Sequence, residues 1–331
     1  MGDHARDRVT AAADDLFDKY LLPKAALAII LTASLVGTGV SLSMSSGWDL
    51  QLVLAKWGFF VALAVLTGGL CWKHAFVRPG DVTGAAADYT GRMFARFDRI
   101  ALGATVLLFF VTPVVMRSYS PALVGIDARL QVGVVVLAFA MLAGWTAVRD
   151  RPTASEFRSP AGLAALTIGV VAVVGTALLE VRTGGGGGLV AVGSRSLHLL
   201  AFSAWLGGAV WNIFAAVPSG QTTPTVPVIQ AAGEQLERFR WAVRLIIPTI
   251  LLTGLLQAFL QYGHSLAPYT SSVVGVAIAA KLGLIGVLVA IFLTCPMWRA
   301  CSPIDGVCDL TDLDGGPSSG AADTSGGVAD D

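Results

Sequence analysis

The chain has 331 residues, 55% of them hydrophobic and only 13% charged, and its 22 basic and 22 acidic side chains cancel to a net charge of zero. A mean hydropathy of +0.72 excludes an ordinary soluble domain and points to an all-α polytopic membrane protein. Nucleic acid is not expected as a partner of such a chain; membrane lipid is.

Crossing about 30 Å of hydrocarbon takes roughly 20 apolar residues. Eight runs reach that length, near 23–45, 52–73, 99–118, 129–148, 160–181, 194–217, 243–263 and 272–297. The opening MGDHARDRVTAAADDLFDKYLLPK is too acidic for the positive start of a secretory signal, so the first run is expected to remain in the mature protein. If the N-terminus is cytoplasmic, the inner side receives 16 of the 22 Lys and Arg residues. The excess of cations on that side places both termini in the cytoplasm of a plasma-membrane protein. Residues 1–22 form the leading cytoplasmic segment. The tail, 300–331, carries seven Asp and no Lys or Arg from Cys301 onward, and it lacks the apolar surface needed to fold.

The runs themselves carry the chemistry. The first ends in SLSMSS with Met44, and the second holds Lys56 and ends in LTGGLCW, with Cys71. In the third, Thr105, Thr112 and Met116 are in line beside Pro113, which offers a kink. The fifth ends at Glu180, the best available partner for Lys56, and Gly184–Gly188 follow as a flexible outer connector. The sixth reads LHLLAFSAWLGGAVW over residues 197–211. Helical spacing puts His198, Trp205, Gly208 and Asn212 on one of its faces, and a histidine in hydrocarbon is costly unless it is paired or bound. In the seventh, Thr249, Thr253, Gln257 and Gln261 recur every four residues and lead to His264, all within an arc of about 120°. Such a stripe faces protein or water; it either bonds neighbouring helices or lines an ion route. The eighth opens with Lys281 and ends at Cys295, with Cys301 and Cys308 beyond it.

An internal echo runs through these segments. LTGGLCW (66–72) matches WLGGAVW (205–211), RFDR (96–99) matches RFRW (238–241), and RLQVGVVVLAF (129–139) matches KLGLIGVLVAI (281–291). The order is kept while the intervening loops drift, so two parallel four-helix units, 23–158 and 159–299, are expected.

On this topology His198, His264, Met44 and Met116 lie outside and the cysteines inside. Thioether and thiolate donors suit Cu(I), and imidazole accepts copper in either common oxidation state. Each signal has an ordinary alternative. A lone Met or Cys in an apolar helix usually serves packing, and the spacing of Cys295, Cys301 and Cys308 is not a zinc pattern.

The segment LHLLAFSAWLGGAVW, together with RFRW, ILLTGLLQAFL and AIAAKLGLIGVLVAI, resembles the copper resistance protein D (CopD) domain family over residues 194–296. The matching positions are His198, Trp205, Gly207, Gly208, Arg238, Phe239, Thr253, Gly254 and Lys281. The first half departs from the pattern, since Phe59 stands where the echo would place His198. The resemblance implies an integral inner-membrane protein of copper uptake or tolerance.

The expected function is therefore copper import. His198 and His264 would receive the ion, Met44 and Met116 would help, and the path would follow Trp205, Asn212, Thr249, Thr253, Gln257, Gln261 and Lys281. Cys295, Cys301 and Cys308 would form a weaker inner set, and an extracytoplasmic copper-delivery protein is a candidate partner. The first alternative is a haem b electron-transfer protein with His198 and His264 as axial ligands. The second is an accessory subunit without its own ligand. No enzymatic activity is expected, because no Ser/His/Asp arrangement or paired carboxylates can be made from the sparse intramembrane charges.

Overall fold

The computed structural model describes residues 21–78, 84–149, 158–184, 188–263, 265 and 267–294, and among these there is no strand. The helices are α1 (Leu21–Ser46), α2 (Leu50–Phe76), α3 (Ala87–Ser118), α4 (Ile126–Arg149), α5 (Pro160–Thr183), α6 (Leu189–Thr222), α7 (Val226–Tyr262) and α8 (Val273–Thr294). Single-turn helices Pro121–Val124 and Ala267–Ser271 precede α4 and α8. Six helices, α2 to α7, are long and apolar enough to cross a membrane. The apolar stretches found in the outermost two are shorter, Leu27–Ser43 in α1 and Gly275–Val287 in α8.

Local chemistry starts and stops these helices. Asp49 caps α2 by accepting from the amides of Gln51 (2.9 Å) and Leu52 (3.2 Å), and Ser159 caps α5 from its hydroxyl, 3.1 Å from the Gly162 amide; each supplies an acceptor to otherwise orphaned amides. Helix α7 ends at Gly263, whose φ of 63° suits a residue without a Cβ.

Two helices exceed the sequence expectation. α3 begins at Ala87 rather than near 99, and α7 at Val226 rather than near 243. RFDR and RFRW therefore lie inside helices, not in loops. Charged residues mark the edge of the hydrocarbon but do not break a helix, and Arg and Glu are good helix formers. At 1.5 Å per residue the 37 residues of α7 span about 55 Å, well beyond the bilayer core.

α2 is the hub, packing against α1, α3, α5 and α6. α6 packs in turn on α2, α5 and α7, α4 joins α3 to α5, and α8 rests on α1. α4 and α5 are thus in direct contact across the expected 158/159 boundary.

The tightest approach is the crossing of α2 and α6. A Cβ on Gly68 would lie 1.8 Å from the Ser203 carbonyl oxygen, and one on Gly207 would lie 2.3 Å from the Gly68 carbonyl carbon. Only glycine lets two backbones come this close. Immediately after each glycine pair the helix loosens into a π turn, Trp72–Phe76 in α2 and Trp211–Ala216 in α6.

Candidate functional site

α6 has polar surroundings at both ends of its apolar middle, and His198 marks one of them. Its Nδ1 is 3.1 Å from the Ile250 carbonyl oxygen and 3.0 Å from Thr253 Oγ1, both on α7. A carbonyl only accepts, so Nδ1 carries the proton and donates. In the neutral ring this leaves Nε2 as the nitrogen with the lone pair. The Thr253 hydroxyl itself donates to the Thr249 carbonyl at 2.5 Å, which fixes its lone pairs toward the histidine. The ring lies beside Gly254 of α7, where a Cβ would be in ordinary contact at 3.5 Å from His198 Cε1.

One turn away the network becomes ionic. Arg195 Nη1 donates to Gln257 Oε1 at 3.2 Å, and its Nη2 pairs with Glu180 Oε2 at 3.1 Å. Lys56 Nζ reaches Glu180 Oε1 at 2.9 Å, and the Tyr119 hydroxyl donates to the same oxygen at 2.8 Å. Lys56 also lies 5.1 Å from the centroid of the Tyr119 ring. The Lys56–Glu180 pairing is the one expected from the sequence. Two cations around one carboxylate leave the cluster with a formal charge of +1 in a largely buried setting, where charge is screened poorly. Tyr119 lies just beyond the end of α3. Burial, then the charge and hydrogen bond of Glu180, raise its phenol well above its ordinary range, with Arg195 opposing.

The sequence signal that identifies Arg195 is the echo itself. Gly207 follows Gly68, and Trp211 follows Trp72, by 139 positions, and Arg195 follows Lys56 by the same 139.

At the other end of α6, the two tryptophans cross over. Trp72 of α2 packs on Phe239 of α7 with centroids 5.3 Å apart, and Trp211 of α6 packs on Phe97 of α3 at 5.2 Å. Phe97 also covers Gly69, and Phe239 covers Gly208. Lys73 is buried and paired with Asp98 at 3.1 Å. Asn212, 139 positions after Lys73, instead donates from Nδ2 to the Gly208 carbonyl at 2.8 Å.

The remaining candidate residues separate. Met116 is buried between α3 and α4, its Cγ 3.2 Å from where a Gly133 Cβ would stand; it fills that interface and does not join the α6–α7 seam. Along the α7 stripe, Thr249 donates to the Leu245 carbonyl, Gln257 Nε2 to the Thr253 carbonyl, and Gln261 is exposed. Of the described stripe residues, Thr253 and Gln257 reach side chains of α6. Trp205 is buried among Ile213, Val243 and their neighbours. Met44 and Lys281 lie on α1 and α8, with side chains outside the described set, and His264, Cys295, Cys301 and Cys308 fall outside the described residues altogether. Among the described residues, no three His, Cys, Asp or Glu side chains gather as a metal-holding group. No family model matches the chain, and neither a curated protein nor a solved structure does.

Proposed function

We propose that the protein is a cytoplasmic-membrane copper-handling protein that brings copper inward, with the α6–α7 seam as its outer receiving site and His198 as the metal-binding donor. The observation that carries this reading is the placement of His198 Nδ1 within hydrogen-bond reach of the Ile250 carbonyl and the Thr253 hydroxyl. Metal-bound histidines generally donate their second ring nitrogen to a carbonyl or similar acceptor, which orients the ring and raises its basicity; the Ile250 carbonyl and Thr253 hydroxyl stand in that position. The residues that carry the CopD resemblance also touch one another: His198 meets Thr253 and Gly254, and Gly208 meets Phe239.

The charge beside the site bears on the ion. With the Glu180 cluster at +1, a singly charged Cu(I) meets about half the repulsion of Cu(II), since Coulomb energy scales with the product of charges. Imidazole accepts copper in either common oxidation state, so the charge of the cluster is what favours Cu(I).

The proposed topology has eight spans, with α1 and α8 as the first and last, both termini cytoplasmic, and the Lys56–Glu180–Arg195 cluster on the outer side. Two parallel four-helix units are supported by the shared offset of 139 and the exchanged Trp–Phe contacts.

The test is copper analysis and an absorption spectrum on one detergent-purified sample, with His198→Ala and His74→Ala beside the wild type. We predict that His198→Ala lowers copper binding at least about tenfold, the scale of losing a ligand's support or the ligand itself, while His74→Ala retains it. Equal losses would remove the His198 site. A Soret band in the wild type would replace copper with haem b, and no bound copper and no Soret band would favour an accessory subunit.

A further inference from the structure

The first turns of α3 hold a group of cations that the copper reading does not use. Arg92, Arg96 and Arg99 stand at positions i, i+4 and i+7, which at 100° per residue confines them to an arc of about 60° on one helix face. Their contacts leave the charge in place. Arg92 donates to the Thr223 hydroxyl in the α6–α7 connection, and Arg99 Nε to the Ala95 carbonyl of its own helix at 3.3 Å. Arg96 makes no hydrogen bond or ion pair among the described residues. Of the carboxylates nearby, Asp98 is paired with Lys73 at 3.1 Å. Asp88, exposed one turn before Arg92, forms no ion pair with any of the three arginines. Even with Asp88 set against Arg92, the charges of Arg96 and Arg99 remain unmatched. The start of α7 differs, because its Arg238 pairs with Glu234.

The same face continues as bare apolar surface. Gly103 lies in line one turn beyond Arg99, and a Cβ there would meet nothing within 4 Å. Val106 and Phe110 follow within the same arc, both exposed. At 1.5 Å per residue, Arg99 to Phe110 spans about 16 Å, roughly half of a hydrocarbon core of about 30 Å. Two positive charges at one end and a single leaflet's depth of apolar surface beyond them match the outline of a phospholipid.

We propose that this face of α3 binds one phospholipid with an anionic phosphodiester headgroup, the phosphate held by Arg96 and Arg99 and an acyl chain lying along Gly103, Val106 and Phe110. Guanidinium suits phosphate because its planar donors meet two oxygens at once. Clustered cations at the end of a membrane span attract anionic lipid, whereas a zwitterionic headgroup brings a cation of its own to the same place. The Asp-rich tail of the chain would neutralise the guanidiniums but leave the apolar surface beyond them bare.

The experiment titrates the full-length chain, purified in a non-ionic detergent, with dioleoyl phosphatidylglycerol or with dioleoyl phosphatidylcholine, which carries the same chains. Thermal unfolding and native mass spectrometry read the binding. A ligand that binds only the folded state raises Tm with saturation, so phosphatidylglycerol should add a few degrees and one retained lipid, and phosphatidylcholine neither. Replacing Arg96→Gln and Arg99→Gln together should abolish the difference, whereas Arg117→Gln, exposed at the other end of α3, should keep it. Ala95→Glu, also at an exposed position, places a carboxylate one turn from Arg99 and should remove most of the phosphatidylglycerol response; this arm stands if the double variant fails to fold. Equal responses to the two lipids would overturn the proposal. A phosphatidylglycerol response unchanged in Ala95→Glu would overturn it as well, placing the lipid elsewhere. A saturating rise of the same size with inorganic phosphate alone would replace the lipid with a soluble anion.

Discussion

α2 and α6 carry the same Gly-Gly-x-x-Trp sequence and the same π turn, yet their ends differ. On α2, Phe59 is fully buried and Lys73 closes on Asp98. On α6, the positions 139 later are His198, hydrogen-bonded to α7, and Asn212, at the wall of a cavity. The crossing demands the same small residues from both partners because each backbone is the other's neighbour. Its ends are under no such mutual constraint. Special chemistry is therefore expected where the two helices diverge, which is on α6 and α7.

The largest effects should come from breaking what the two helices share. Gly68→Ala and Gly207→Ala each drive a methyl into backbone, at 1.8 Å and 2.3 Å, and backbone cannot rotate aside. We predict loss of folded protein, or destabilisation beyond about 3 kcal/mol, read as aggregation in size-exclusion chromatography or as a lowered Tm. Gly103→Ala in α3, with nothing within 4 Å of its Cβ position, should be neutral or stabilising by up to about 1 kcal/mol through helix propensity. Equal tolerance at Gly68 and Gly103 would mean that α2 and α6 do not cross closely.

Next in size is the charge cluster. Glu180→Gln leaves Lys56 and Arg195 facing each other without a counter-charge. Removing one partner of a buried ion network costs about 3–5 kcal/mol, with the lower end apt here because Arg195 is 27% exposed. Asp98→Asn isolates a single cation, Lys73, and should cost less. The comparison is sharpened by denaturant or thermal melts of both variants. A smaller loss for Glu180→Gln would show that water screens the cluster.

These contrasts separate what the sequence discloses from what it hides. The apolar runs of α2 to α6 are legible because about 20 consecutive apolar residues have few other uses. The cytoplasmic-looking starts of α3 and α7 are not, because hydropathy reports where lipid ends rather than where hydrogen bonding ends. The Lys56–Glu180 pair follows from scarcity: few intramembrane carboxylates exist, and burial demands a partner. Arg195 is hidden by its place near the end of its apolar run, although the 139-residue offset contains it. The α7 stripe shows the limit of helical-wheel reasoning. A shared face does not tell whether hydroxyls reach across to another helix or back to their own turn, and Thr249 bonds its own helix while Thr253 also meets His198. Met116 illustrates the same limit, since a position at the expected end of a helix does not fix which neighbour it packs against.

A subtler break lies at Thr253. Thr253→Val keeps the volume and removes the hydroxyl that holds His198 Nδ1, leaving the Ile250 carbonyl as acceptor. Under the copper reading, affinity should fall about tenfold, as when an outer partner of a metal-bound histidine is lost, while Tm changes by less than for Glu180→Gln. Copper titration followed by competition with a chelator measures this. Unchanged affinity would detach the Nδ1 hydrogen bonds from metal binding.

The smallest effect belongs to Tyr119, and it is a pH effect. Its phenol must stay protonated to donate to Glu180, and burial beside that carboxylate raises its pKa above the ordinary value of about 10. A group whose pKa is higher in the folded state binds its proton more tightly there. Its contribution to stability is therefore complete below about pH 10, where both states are protonated. It is lost as pH rises through the folded-state value, because the unfolded chain ionises first. Tyr119→Phe should remove about 1 kcal/mol at neutral pH, the size of a single hydrogen bond, and should flatten the alkaline fall in Tm above pH 10. If the variant and the wild type lose stability in parallel across that range, the proton on Tyr119 is not what the Glu180 cluster holds.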